Sequence, residues 1–209
     1  MIVTKRLELI PATVEAIRAA LETRSALATA LDVLVPETWP PEFLDPPSLE
    51  FTLARLEEGP EQAGWWLHFV VLTRGATGRT LIGSAGYKGP PAPDGTVEIG
   101  YGIVRDYQRQ GYASEAVHGL LARAFTAPVV QRVVAETLPE LIPSIGVLRK
   151  CRFRLIGEGS EPGAIRFELT RAEYEMEKGC GLGSRGRNVG VECYPRGLTR
   201  GPIRNSRPS

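Results

Sequence analysis

Gln108-Arg109-Gln110-Gly111-Tyr112-Ala113 is the most informative turn in the chain. Before it, residues 97–104 (Val-Glu-Ile-Gly-Tyr-Gly-Ile-Val) have strand character. After it, Ala113, Ala116, Val117, Leu120, Leu121 and Ala124 recur at spacings of three and four, which predicts a helix over 111–125 with one apolar face. A helix start presents unpaired backbone N–H groups and a partial positive charge. A diphosphate fits there when the backbone can come close to it. Gly111 has no side chain, Ala113 almost none, Arg109 carries a permanent cation, and Gln108 and Gln110 are polar. The segment reads as a pyrophosphate-binding turn; on the turn alone, a plain strand-to-helix connection through glycine is the alternative.

Working outward, residues 65–74 and 80–88 join 97–104 as three strand candidates, with Asp94-Gly95 as the hairpin signal between the last two. Residues 5–10 alternate Leu7 and Leu9 with polar neighbours, and Pro11 ends that strand. Thr13 is placed to cap a helix carrying Ala16, Ile17, Ala20 and Leu21. Residues 36–47 hold five prolines with Trp39 and Phe43, an ordered loop, and Ser48 is read as capping a helix through Glu58 that Gly59-Pro60 stops. Downstream come a valine-rich strand over 131–138, a short helix over 144–150 just after Pro143, and a closing hairpin of residues 153–157 and 165–170. The order is β-α-α-β-β-β-α-β-α-β-β. It implies an α+β fold with a mixed, mostly antiparallel sheet of about seven strands flanked by helices, and one parallel crossover around the 111–125 helix.

At 209 residues with 43% hydrophobic and 23% charged residues, the chain is long enough to bury its own core. Its apolar runs are too short to span a bilayer, and Lys5, Arg6 and Glu8 interrupt any leader-like opening, so the sequence reads as cytoplasmic with no membrane partner. Cys151, Cys180 and Cys193 are odd in number and irregularly spaced, which fits neither a disulfide framework nor a zinc pattern, and no metal is expected. Residues 178–209 carry Lys178, Arg185, Arg187, Arg196, Arg200, Arg204 and Arg207 against Glu192 alone, with seven glycines. They read as a basic, disordered tail on a domain of residues 1–177. Contact of the tail with nucleic acid through charge is the lesser alternative, and self-association into a homodimer is left open.

The longer string Glu98-Ile-Gly-Tyr-Gly-Ile-Val and Tyr107-Gln-Arg-Gln-Gly-Tyr-Ala-Ser-Glu-Ala-Val closely resembles the GNAT superfamily of acyl-CoA N-acyltransferases. The family's cofactor turn, Gln/Arg-x-x-Gly-x-Gly/Ala, is matched by Gln108, Gly111 and Ala113. Thr4-Lys-Arg-Leu-Glu-Leu-Ile-Pro11 and Thr137-Leu-Pro-Glu-x-x-x-Ser144-Ile-x-Val-Leu resemble its ribosomal-protein-acetylating branch, and the likeness covers about residues 3–172. The resemblance implies acetyl-CoA as co-substrate. Its pantetheine would lie along the strand ending at Ile103 and Val104 like an added strand, and its diphosphate on the N–H groups of Arg109, Gln110, Gly111, Tyr112, Ala113 and Ser114. It also implies transfer of an acetyl group to an amine, either a protein N-terminus or a small molecule, with backbone N–H groups near Ile103 and Val104 holding the oxyanion. The chain departs from the family in two places. Leu141 stands where asparagine is usual, and Arg152 precedes Phe153 where glycine is usual. These departures motivate a second reading, a non-catalytic acyl-CoA-binding module.

An ammonium must lose a proton before it attacks a thioester, and a nearby carboxylate is the natural base. Glu98 is the candidate, with a cross-strand salt bridge as its alternative role. Ser144 is the candidate partner of the departing sulfur, as the resembling branch suggests, and an N-cap is its alternative. Cys151 is read as a buried thiol, and His68 and His118 as partly buried structural histidines. Glu115 is read as a first-turn carboxylate at the positive end of its helix. Trp39, Phe43, Trp65 and Trp66 are candidates either for an acceptor pocket or for core packing.

Overall fold

The computed structural model describes residues 1–75 and 78–182, so most of the expected tail lies outside the described residues. An eight-stranded sheet runs β1 (Ile2–Val3), β2 (Leu7–Pro11), β3 (Leu67–Gly75), β4 (Gly78–Tyr87), β5 (Thr96–Ile103), β6 (Arg132–Thr137), β8 (Ile165–Thr170), β7 (Arg154–Glu158) in spatial order. Every neighbouring pair is antiparallel except β5 and β6. The parallel pair is joined through α4 (Tyr112–Ala124), the crossover that the 111–125 periodicity predicts. The count exceeds the expected seven because the short Ile2–Val3 strand pairs with Leu9 and Glu8.

Both faces of the sheet are covered, and the strand alternation shows it. Phe69 and Val71 enter the core beneath α1 (Val14–Glu22), α2 (Arg24–Leu31) and α3 (Pro46–Glu58), whereas Val70 and Leu72 enter the core beneath α4 and α5 (Ile142–Lys150). Thr13 caps α1 as expected, accepting from the Ala16 amide at 3.2 Å. Ser48 does not cap α3. Asp45 does, accepting from the Ser48 amide at 3.0 Å, and Pro46 and Pro47 occupy the first turn, where a missing N–H costs nothing. Nor does Ser144 cap α5: that helix starts at Ile142, Leu141 is the cap position, and no side chain caps it.

Two further helices lie outside the sequence expectation, α2 and α6 (Arg171–Leu182). The boundary expected at residue 178 falls within α6.

Candidate active site

The site is built where β5 and β6 part. Their parallel pairing covers Thr96 to Ile99 opposite Arg132 to Ala135 and then stops, while β5 runs on to Ile103 and β6 stays paired with β8 as far as Thr137. A wedge therefore opens between adjacent strands. On the other side of β5, the Lys88 amide donates to the Glu98 carbonyl and the Val104 amide to the Ile82 carbonyl, both at 2.9 Å. Strand alternation then turns the amides of Tyr101 and Ile103 toward the wedge. Of the two amides expected at the reacting carbonyl, that of Val104 is committed to the β4 ladder, and that of Ile103 faces the opening. The Ile103 carbonyl accepts from Gln108 Nε2 at 2.9 Å, so Gln108 ties the end of β5 to the turn.

The turn itself has the backbone that its glycine predicts. Gly111 is the N-cap of α4 at φ 81, and Arg109 also lies in the left-handed region at φ 59. The first intrahelical bond is from the Glu115 amide to the Gly111 carbonyl at 3.0 Å. The backbone N–H groups of residues 109–114 reach no acceptor among the described residues, which leaves six consecutive donors at the positive end of a helix. A side chain at Gly111 would approach only Arg6 Nη2, at 3.5 Å, so glycine is required there by φ rather than by space. The Arg6 guanidinium lies 4.3 Å from the centroid of the Tyr112 ring, and its Nε meets Glu115 Oε2 at 2.7 Å. Glu115 does more than face the helix dipole: its Oε1 also accepts from Thr4 Oγ1 and the Arg6 amide, both at 2.7 Å. Burial alone would raise the Glu115 pKa, but these hydrogen bonds and the Arg6 charge lower it. The carboxylate thus clamps the β1–β2 connection onto the first turn of α4.

A cleft of about 1070 Å³ runs along the wedge, lined among others by Gly100, Ile103, Gly111, Ala113, Leu141 and Ser144. Ser144 stands on its α5 wall beside Tyr101, which lies between Gly100 and Gly102 on β5. The Tyr101 hydroxyl donates to the Ser144 carbonyl at 3.1 Å and lies 3.2 Å from Ser144 Oγ. Burial pushes the Tyr101 pKa up to about 12, with the Ser144 hydrogen bond acting the other way, so the phenol is neutral and proton-bearing at pH 7.

Glu98 stands apart from this pair. Three residues before Tyr101 on the same strand, it points to the opposite face, and its Oε1 is in an ion pair with Lys88 Nζ. Lys88 and Gly100 line the cleft, and Glu98 does not.

The two departures are visible in the backbone. Leu141 is the uncapped start of α5. Arg152 takes φ 67, the left-handed position of a Schellman ending in which Arg152 N–H donates to Arg149 O and Phe153 N–H to Leu148 O, each at 3.0 Å. Of the four aromatics considered for the acceptor pocket, Trp39 and Trp66 are buried in the core under α1–α3, and Trp65 packs on Tyr87. Phe43 lines the cleft, exposed and at φ 65. Cys151 is buried as expected. His118 is exposed rather than partly buried, with Nε2 3.8 Å from Cys151 Sγ. His68 is fully enclosed, its Nδ1 3.0 Å from the Trp66 carbonyl, and burial lowers its pKa to about 4. Among the described residues there is no metal-ligand cluster, and no helix is long and apolar enough to cross a membrane.

A family model of the acetyltransferase (GNAT) domain matches residues 6–154. The uncharacterized N-acetyltransferase p20 of Bacillus licheniformis is 36% identical over 102 residues, which are 45% of this chain and 57% of that protein. The chain spans about half the length of the curated relatives it matches. Among solved structures, a putative ribosomal-protein-serine acetyltransferase from Vibrio cholerae superposes with TM-score 0.56 at 22% identity, over 81% of this chain and 96% of that one. RimL, a ribosomal L7/L12 alpha-N-protein acetyltransferase in complex with coenzyme A, gives 0.57 at 16% identity, over 82% and 97%. At these identities the structural likeness speaks for the fold. The family match takes in both the wedge and the turn that closes it: the chain belongs to the GNAT family of acetyltransferase domains.

Proposed function

We propose that the chain is an N-acetyltransferase that moves the acetyl group of acetyl-CoA to a primary amine by direct attack within a ternary complex. The observation that carries the reading is the row of six unpartnered amides from residue 109 to 114 beside the β5–β6 wedge. The residues fit the co-substrate: a diphosphate takes the amides, and an extended pantetheine takes the backbone groups of Tyr101 and Ile103 that β6 leaves unpaired. Ile103 N–H then supplies a donor for the developing oxyanion, and the neutral Tyr101 hydroxyl, held at Ser144, supplies the proton that the departing sulfur needs. Glu98 takes the proton of the incoming ammonium from the opposite face of β5. The two substrates thus meet across one strand. The acceptor is a protein N-terminal amine, as for RimL, or a small-molecule amine.

A second reading, an acyl-CoA-binding module without turnover, is favoured by Lys88 closing off Glu98 and by the uncapped Leu141. Free-thiol release from acetyl-CoA over a panel of peptide and small amines decides between them. Amine-dependent release supports transfer; tight CoA binding with no release from any amine leaves the binding module.

A further inference from the structure

Among the described residues, arginine supplies the cation of every ion pair but one. The exception is Lys88 on Glu98. The backbone sets the pair: the Lys88 amide donates to the Glu98 carbonyl at 2.9 Å, so the two residues are directly opposed across β4 and β5 and share a face. A Cβ placed at Gly100, the next residue of β5 on that face, would meet nothing within 4 Å. The sheet floor beside the ammonium is therefore open, and both Lys88 and Gly100 line the cleft. An arginine would neutralise Glu98 equally well, but a guanidinium stays protonated and is a poor acyl acceptor, whereas an amine becomes a nucleophile once deprotonated. The chain thus presents a primary amine, from inside its own cleft, to the carboxylate assigned as base.

We propose that Lys88 is itself an acceptor, acetylated by the enzyme's own cleft. The inference rests on the acetyl-CoA reading above. The Lys88 ammonium gives one proton to the Glu98 carboxylate, which passes it to water. The neutral Nζ attacks the thioester carbonyl carbon, the N–C bond forms and the C–S bond breaks. The second proton lost by nitrogen ends on the CoA sulfur. The product amide is uncharged, so the ion pair dissolves and Glu98 is released to an incoming amine.

The test is to incubate the full-length protein with acetyl-CoA and no added amine, and to follow acetylation of Lys5, Lys88, Lys150 and Lys178 by peptide mass mapping. Lys88 is expected to react at least about tenfold faster than Lys5, and to lose that advantage in Glu98→Gln while Lys5 is unaffected. Should Glu98→Gln lose its cooperative thermal transition, Glu98→Asp, with its shortened reach to Nζ, is the second variant, with the same loss expected. Lys88 reacting no faster than Lys5, or unchanged in the Glu98 variant, overturns the proposal. Turnover of added amines with Lys88 unmodified also overturns it while the transferase reading stands. CoA binding with neither Lys88 nor any amine acetylated removes both.

Discussion

The Tyr101 hydroxyl and Ser144 are joined twice, through the serine carbonyl at 3.1 Å and its Oγ at 3.2 Å, so a strand and a helix from opposite walls of the cleft hold one proton-bearing phenol in place. If that phenol protonates the leaving sulfur, Tyr101→Phe lowers kcat on the order of a hundredfold with little change in the Kd for CoA. Ser144→Ala, which keeps the carbonyl bond, has the smaller effect. Steady-state rates paired with calorimetric CoA binding check this, and equal losses in kcat and CoA affinity would show a packing role instead.

Gly111→Ala places a Cβ on a residue at φ 81. The left-handed conformation then costs about 1–2 kcal/mol, and relaxing it moves the amides that follow. Weaker CoA binding, together with a lower melting temperature, is expected; calorimetry and thermal unfolding measure both.

Leu141→Asn supplies the missing N-cap of α5 and returns a polar group to the cleft wall. Stability rises by about 1 kcal/mol, and the KM for acetyl-CoA falls. Urea unfolding and initial rates follow the two effects separately. A gain in stability with no change in KM would restrict the position to a structural role.

Arg152→Gly removes the left-handed cost from the end of α5. A gain of about 1 kcal/mol in urea unfolding is expected. No gain would mean that the arginine side chain's own interactions offset its backbone conformation.

His68 supplies a pH signature. Its pKa is about 4 in the folded chain and about 6.5 when unfolded, so between those values only the unfolded chain takes up the proton. Stability is therefore flat above pH 6.5 and falls below it, by roughly 2 kcal/mol at pH 5. Glu115, Glu136 and Glu173, whose pKa values are lowered in the fold, add their own losses only as the pH drops through the ordinary carboxylate range. Unfolding between pH 7 and 5 tests the claim: His68→Gln flattens the curve, and an unchanged slope in that variant would assign the titration elsewhere.

Much of the fold is legible because its largest signals are local. The α4 stripe, the glycine turn and the Asp94-Gly95 hairpin each lie within one short window, and the structure keeps all three. The cap of α3 is hidden in the sequence because two prolines separate Asp45 from the first helical residue able to donate to it. Helix α2 leaves no sequence signal because only Leu27 and Leu31 are buried along its eight residues, too few to make a stripe. At the site, alternation along β5 fixes which face Glu98 takes, but its partner is ten residues back and emerges only from the β4–β5 register. Tyr101 is silent in the sequence for the same reason: a phenol between glycines becomes a site residue only when a helix from later in the chain brings Ser144 to it.

The parting of β5 from β6 also bears on how the molecule comes apart. Among the described residues, the backbone bonds between the two halves of the sheet run only over Gly95–Ile99, a short hinge with β1–β5 on one side and β6–β8 on the other. Such a seam is where sub-global opening begins, and hydrogen exchange in β6 and β8 should then run ahead of exchange in β3 and β4. A molecule bound across the seam would couple the halves, so that occupancy slows exchange on both sides at once.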